Sequence, residues 1–127
     1  MALALHVNTA NTLCNQINTL CTNGWIRIYG ADNTTVLAEL RFGNPAFQNP
    51  VNGSMTVNPI TEDSSANASG TATTFRLFQS NGTTEILRGE CGTAASPKDL
   101  NFDTLTITAN QTVRINSLVF TCPSTYS

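Results

Sequence analysis

After Gly24 the chain never runs far without a turn signal. Residues 30–34 (GADNT), the stretch holding Pro45, Pro50 and Gly53, residues 61–69 (TEDSSANAS), Asn81-Gly82, residues 92–99 (GTAASPKD) and Asn110-Gln111 punctuate it. Turns at intervals of roughly 8–12 residues leave room for about eight short strands, which is the pattern of a β-sandwich or jelly roll. Trp25 to Tyr29 is a short aromatic and β-branched run. Residues 35–42 alternate, with Val36, Ala38, Leu40 and Phe42 on one face and Thr35, Leu37, Glu39 and Arg41 on the other. Ser54 to Asn58 is a short strand. Gly70 to Gln79 is a strong one, and Asn81-Gly82 turns it into a return strand over Thr84 to Arg88. Leu105 and Ile107 point inward from Thr104 to Thr108. The last strand, Thr112 to Cys122, carries Val113 and Ile115 on one parity and Leu118 and Phe120 on the other. Such a change of parity implies a bulge or two covered faces.

Only the N-terminal part has the helical period. Ala10, Leu13, Cys14, Ile17, Leu20 and Cys21 fall on one face of a helix over residues 9–22. Asn8 or Thr9 can cap its start, and Gly24 after Asn23 suits its end. The opposite face (Asn11, Thr12, Asn15, Asn18, Thr19, Thr22) is made of mediocre helix formers. Packing of the apolar stripe must therefore hold the helix, against its own sheet or a neighbouring subunit. The reading is one domain over residues 1–127, a helix at 9–22 followed by a sandwich at 25–122.

Charged residues make up 11% of the chain, against about 25% in a typical soluble domain. Thr and Asn, the two commonest residues, supply the polar surface instead, on exposed strands and in turns. The net charge is −2, and the basic residues Arg27, Arg41, Arg76, Arg88, Lys98 and Arg114 are scattered along the sequence. Nucleic-acid binding usually needs clustered Lys and Arg, so direct contact with DNA or RNA is not expected. The start, MALALHVNTA, lacks the basic and apolar regions of a signal peptide, and no stretch approaches a membrane span. Free thiols are then the plain reading of the four cysteines. Cys14 and Cys21 stand two helical turns apart, too far for a disulfide, whereas a Cys91–Cys122 bridge stays open. Five N-x-[ST] triplets are what so much Asn, Ser and Thr produces by chance.

Reaction chemistry finds no foothold. His6 is the single histidine and precedes the helix, where nothing holds it as a base. Asp32, Glu39, Glu62, Asp63, Glu85, Glu90, Asp99 and Asp103 show no local pattern that nominates a catalytic pair. No calcium loop, zinc spacing, phosphate-binding glycine loop or nucleophile elbow occurs. No catalytic, cofactor or metal residues are assigned, and the chain is not expected to be an enzyme. Trp25 and Tyr29 share a strand face and could form a stacking platform for a sugar or base, but packing beneath the helix is the expectation.

Several segments, taken in order, resemble a known family. The helix leads into Gly24-Trp25-Ile26-Arg27-Ile28-Tyr29-Gly30. Then come Leu37-Ala38-Glu39-Leu40-Arg41-Phe42-Gly43-Asn44-Pro45-Ala46-Phe47, the run from Ala66 to Leu77, and the Asn81-Gly82-Thr83-Thr84 hairpin. Together, across residues 9–122, they are similar to small virion proteins of tailed bacteriophages, often encoded beside the major capsid gene. The turn at 30–34 is shorter than the insert such proteins often carry there. The resemblance implies a jelly-roll capsid cement or decoration protein. It would bind the major capsid protein on the virion surface, after assembly in the bacterial cytoplasm, and would supply no catalytic residues. A dimer or trimer is expected of such a structural protein, with the helix and loop 44–60 as candidate contacts. Alternatives are a tail or fibre component, a carbohydrate-binding or adhesin module and, last, a small hydrolase.

Overall fold

The structure is a computed structural model that describes residues 5–93, 95–96, 98, 100–115 and 117–122. It is β-rich with one N-terminal helix. Helix α1 spans Val7–Cys21. The strands are β1 (Trp25–Tyr29), β2 (Val36–Arg41), β3 (Ser54–Thr56), β4 (Gly70–Thr71), β5 (Thr74–Phe78), β6 (Glu85–Thr93), β7 (Leu100–Phe102), β8 (Thr106–Ile107) and β9 (Ser117–Thr121). Seven strands form one sheet in the order β2-β1-β5-β6-β7-β9-β3, and β4 pairs with β8 apart from it. Phe75 and Leu77 of β5 line the same cavity of about 340 Å³ as Leu118 and Phe120 of β9. Strands three places apart in the order thus face each other, and the sheet curls into a sandwich around its own core.

The curl is made at β6. Its first half runs antiparallel to β5, from Phe78↔Glu85 to Thr74↔Glu90. Its second half pairs with β7 in parallel, through Cys91↔Leu100 and Thr93↔Phe102. This one parallel pair departs from the all-antiparallel sandwich expected. A parallel connection usually needs about a dozen residues or more, and here the chain turns back within a few. Gly92 permits it. A Cβ there would stand 2.6 Å from the Ser96 carbonyl oxygen and 2.7 Å from the Lys98 nitrogen. The returning backbone therefore lies directly on the strand.

Other strands differ in detail from their sequence reading. Leu37 is buried beside Ala38, because the register with β1 slips between Ile28 and Tyr29 and turns Leu37 inward. The run 70–79 is two strands. The run 112–122 is a single bridge, Val113↔Asp63, followed by β9. That interruption accounts for its change of parity. The Asn81-Gly82 turn stands as read: the Asn81 side-chain oxygen accepts the N–H groups of Thr83 and Thr84, and Gly82 has φ +73°.

Helix α1 starts two residues earlier than expected. His6 caps it, its Nδ1 accepting the Asn8 N–H at 3.0 Å. At the other end Asn23, not Gly24, takes the left-handed conformation, with φ +57°. Ala10, Cys14 and Cys21 are buried, while Leu13, counted in the apolar stripe, is 45% exposed. Two asparagines read as solvent-facing are clamps instead. Asn18 accepts the Phe47 N–H at 2.9 Å and donates to the Phe47 carbonyl at 3.3 Å. Asn11 accepts the Gly53 N–H at 2.8 Å. They bind the loop between β2 and β3 to the helix. The core itself is aliphatic and aromatic, with Ile26, Ile28, Leu40, Phe47, Met55, Phe75, Leu77 and Leu100 fully buried.

Candidate interaction face

Strands β2, β1 and β5 turn Leu40, Ile26, Ile28, Phe75 and Leu77 inward, and β6 pairs beside β5. Alternation along a strand then sends their neighbours to the outer face. Register puts those neighbours in three rows. The first is Arg41, Trp25, Phe78 and Glu85; the second is Glu39, Arg27, Arg76 and Arg88; the third is Val36, Tyr29, Thr74 and Glu90. Four of the five arginines of the chain, scattered in sequence, thus meet on one surface. This corrects the expectation that the basic residues stay apart. The cause is pairing: β1, β2, β5 and β6 each bring one arginine at the same strand parity.

Three of these arginines lie on aromatic rings. Arg41 sits 4.1 Å from the Trp25 ring centroid, Arg76 sits 4.1 Å from Tyr29, and Arg27 sits 4.5 Å from Phe78. At such distances a guanidinium is attracted to the ring face, and the ring in turn holds the long side chain in place. Trp25 and Tyr29 are therefore neither packed beneath the helix nor an open platform. They are the floor on which arginines rest.

The charges of the middle row are unevenly met. Arg27 pairs with Glu39 at 2.8 Å and donates to the Gly82 carbonyl at 2.7 Å. Glu39 also accepts from Asn67 at 3.1 Å. Its carboxyl is held below the usual carboxylate range, chiefly by the Arg27 hydrogen bond. Arg88 pairs with Glu85 at 2.6 Å, which likewise lowers Glu85. Arg76 stands between them. It makes no ion pair among the described residues; one terminal nitrogen donates to the Asn33 carbonyl at 2.7 Å, and its Nε is buried without an acceptor. Among the described residues the Arg41 guanidinium also bonds only a carbonyl, that of Asn23, at 3.0 Å.

Other sequence candidates hold structure. Asp32 accepts the N–H groups of Thr34 and Thr35 and the Thr35 hydroxyl, which lower its carboxyl well below the usual range. Asp63 accepts the Glu39 N–H at 2.8 Å and the Ser65 N–H at 3.0 Å. Glu62 pairs with Arg114, and Glu90 lies 3.9 Å from Lys98. Asp99 lies outside the described residues. Five surface cavities are lined by one carboxylate at most, so none of the five offers a facing pair. No group of three or more His, Cys, Asp or Glu able to hold a metal occurs among the described residues. The four cysteines are free thiols, so Cys91 and Cys122 are not bridged; Cys122 lies near Cys14 instead, and both bond the Gly53 carbonyl, Cys14 through its thiol and Cys122 through its N–H. Among the described residues no helix is long and apolar enough to cross a membrane.

Comparison with protein-family models, curated proteins and solved structures finds no match to this chain.

Proposed function

We propose that the chain is a structural virion protein that binds the head shell of a tailed phage as a cement or decoration protein, and that the outer face of β2-β1-β5-β6 is its docking surface. The resemblance of its ordered segments supports the class of protein. The observation that carries the docking role is the set of arginines laid on Trp25, Tyr29 and Phe78. Aromatic residues and arginine are the types enriched where proteins bind proteins, and they dominate the energy of such contacts. A sheet that locks them in place lowers the entropy cost of binding. The partner would be the major capsid protein, and the protein would act on the virion surface as a closed dimer or trimer.

Purified protein mixed with shells that lack it should bind saturably and raise the temperature at which the shells open. Shells that neither bind it nor gain heat resistance would remove the reading. Labelled particles viewed by electron microscopy separate a head position from a tail or fibre one. The carbohydrate-binding alternative needs an open ring face, and Arg41 lies over that of Trp25.

A further inference from the structure

We infer that Arg76 is a receptor for a carboxylate, carried by the protein surface that docks on this face. The inference rests on the docking reading for the face itself and goes further in naming the group that lands there. Arg27, Arg76 and Arg88 are direct cross-strand neighbours in one row. Like charges set opposite one another destabilise a sheet. The row is relieved at its two ends, where Glu39 binds Arg27 and Glu85 binds Arg88. Its centre is not. Among the described residues Glu85 feels the charge of Arg76 without pairing with it, and the Arg76 Nε has no acceptor. A guanidinium offers a planar fork of donors that matches the two oxygens of a carboxylate. An incoming carboxylate would neutralise the middle of the row and, with a small pivot of the side chain on the Tyr29 ring, take up the unmet N–H.

A protein carboxylate fits better than a nucleic-acid phosphate. The three rows hold four arginines and also Glu39, Glu85 and Glu90. A polyanion laid across them would meet nearly as many negative charges as positive ones, whereas a single carboxylate aimed at Arg76 would not.

The test follows the Nε–H signal of Arg76 by NMR while poly-L-glutamate, oligothymidylate or inorganic phosphate is added, and in parallel measures shell binding. Poly-L-glutamate should move the Arg76 signal, with an affinity that falls as salt rises. Arg76→Gln should weaken poly-L-glutamate and shell binding about tenfold or more, the effect of losing a charged hydrogen bond. Arg76→Lys, which keeps the charge and lacks the fork, should weaken both in the same sense, with a thermal melt confirming that it folds. Arg114→Gln, outside these rows, should change neither. An Arg76 signal unmoved by poly-L-glutamate, undiminished binding in Arg76→Gln and Arg76→Lys, or tighter binding of oligothymidylate would overturn the inference. If wild-type protein ignores the shells yet poly-L-glutamate still engages Arg76, the virion reading falls and the carboxylate receptor stands. If the shells bind wild type and both variants alike, the reverse holds.

Discussion

Arg41 and Trp25 are cross-strand partners, and the guanidinium carbon of one lies 4.1 Å from the ring centroid of the other. The pair closes the outer corner of the sheet, where a Cβ added at Gly82 would stand 3.5 Å from the Trp25 indole nitrogen. Arg41→Ala should uncover the indole. An exposed cation–π contact contributes about 0.5–1 kcal/mol, so urea unfolding should register a loss of that order. Acrylamide should quench Trp25 fluorescence more strongly in the variant than in wild type. Equal quenching would mean the arginine does not cover the ring in solution.

Asn18 is a helix residue whose value lies in what it holds. It makes two hydrogen bonds to the Phe47 main chain, and Phe47 is a buried core residue. Asn18→Ala leaves both Phe47 groups without their partner, at a cost of about 1–3 kcal/mol for a desolvated group. Asn15→Ala, an exposed position on the same helix, serves as the reference and should leave stability within about 0.5 kcal/mol. A comparable loss in the two variants, measured by chemical denaturation, would contradict the clamp.

Gly53 has φ +78°, and a Cβ there would fall 2.5 Å from the Cys122 carbonyl oxygen. Gly53→Ala meets both a disfavoured backbone region and a main-chain clash, so it should destabilise by about 1–3 kcal/mol. It should also loosen the end of β9, since the Gly53 carbonyl accepts the Cys122 N–H at 2.7 Å. Hydrogen exchange at Cys122 reads this directly and should speed up in the variant.

Acid should weaken the fold through Glu39. Its carboxyl is lowered in the folded state, chiefly by the Arg27 hydrogen bond. A depressed carboxylate contributes stability that is fully present above its unfolded pKa, about 4.3 for Glu. That contribution is lost as pH falls through the lower, folded value. Unfolding free energy should therefore decline as pH falls below about 5, and Glu39→Gln should flatten part of that slope while costing stability at pH 7. An unchanged slope in Glu39→Gln would show that other carboxylates carry the acid response.

Thiol reactivity should divide by burial. Desolvation pushes the Cys21 thiol up to about 12, and burial raises Cys14 as well. The thiolate is the reactive form, so neither should react with a disulfide reagent at pH 8 while the protein is folded. Cys122 is only half-buried and should be labelled first. Mass spectrometry of the partly labelled protein identifies the site, and early labelling of Cys21 would show that the helix opens readily.

Local pattern alone was enough for the class of fold. The 3.6-residue period over Ala10 to Cys21, the two-residue period of Leu40 and its neighbours, and the Asn81-Gly82 turn are properties of a few adjacent residues, and the physics of each is local. The interaction face was not legible, because its arginines stand at positions 27, 41, 76 and 88 and only strand register makes them neighbours. The same holds for Asn18, whose partner Phe47 is 29 residues away, and for Gly92, whose need to lack a side chain comes from a chain that returns over it. Periodicity says which way a side chain points from its own strand. Which side chains it then meets depends on long-range pairing, and in this protein that pairing sets arginine beside arginine.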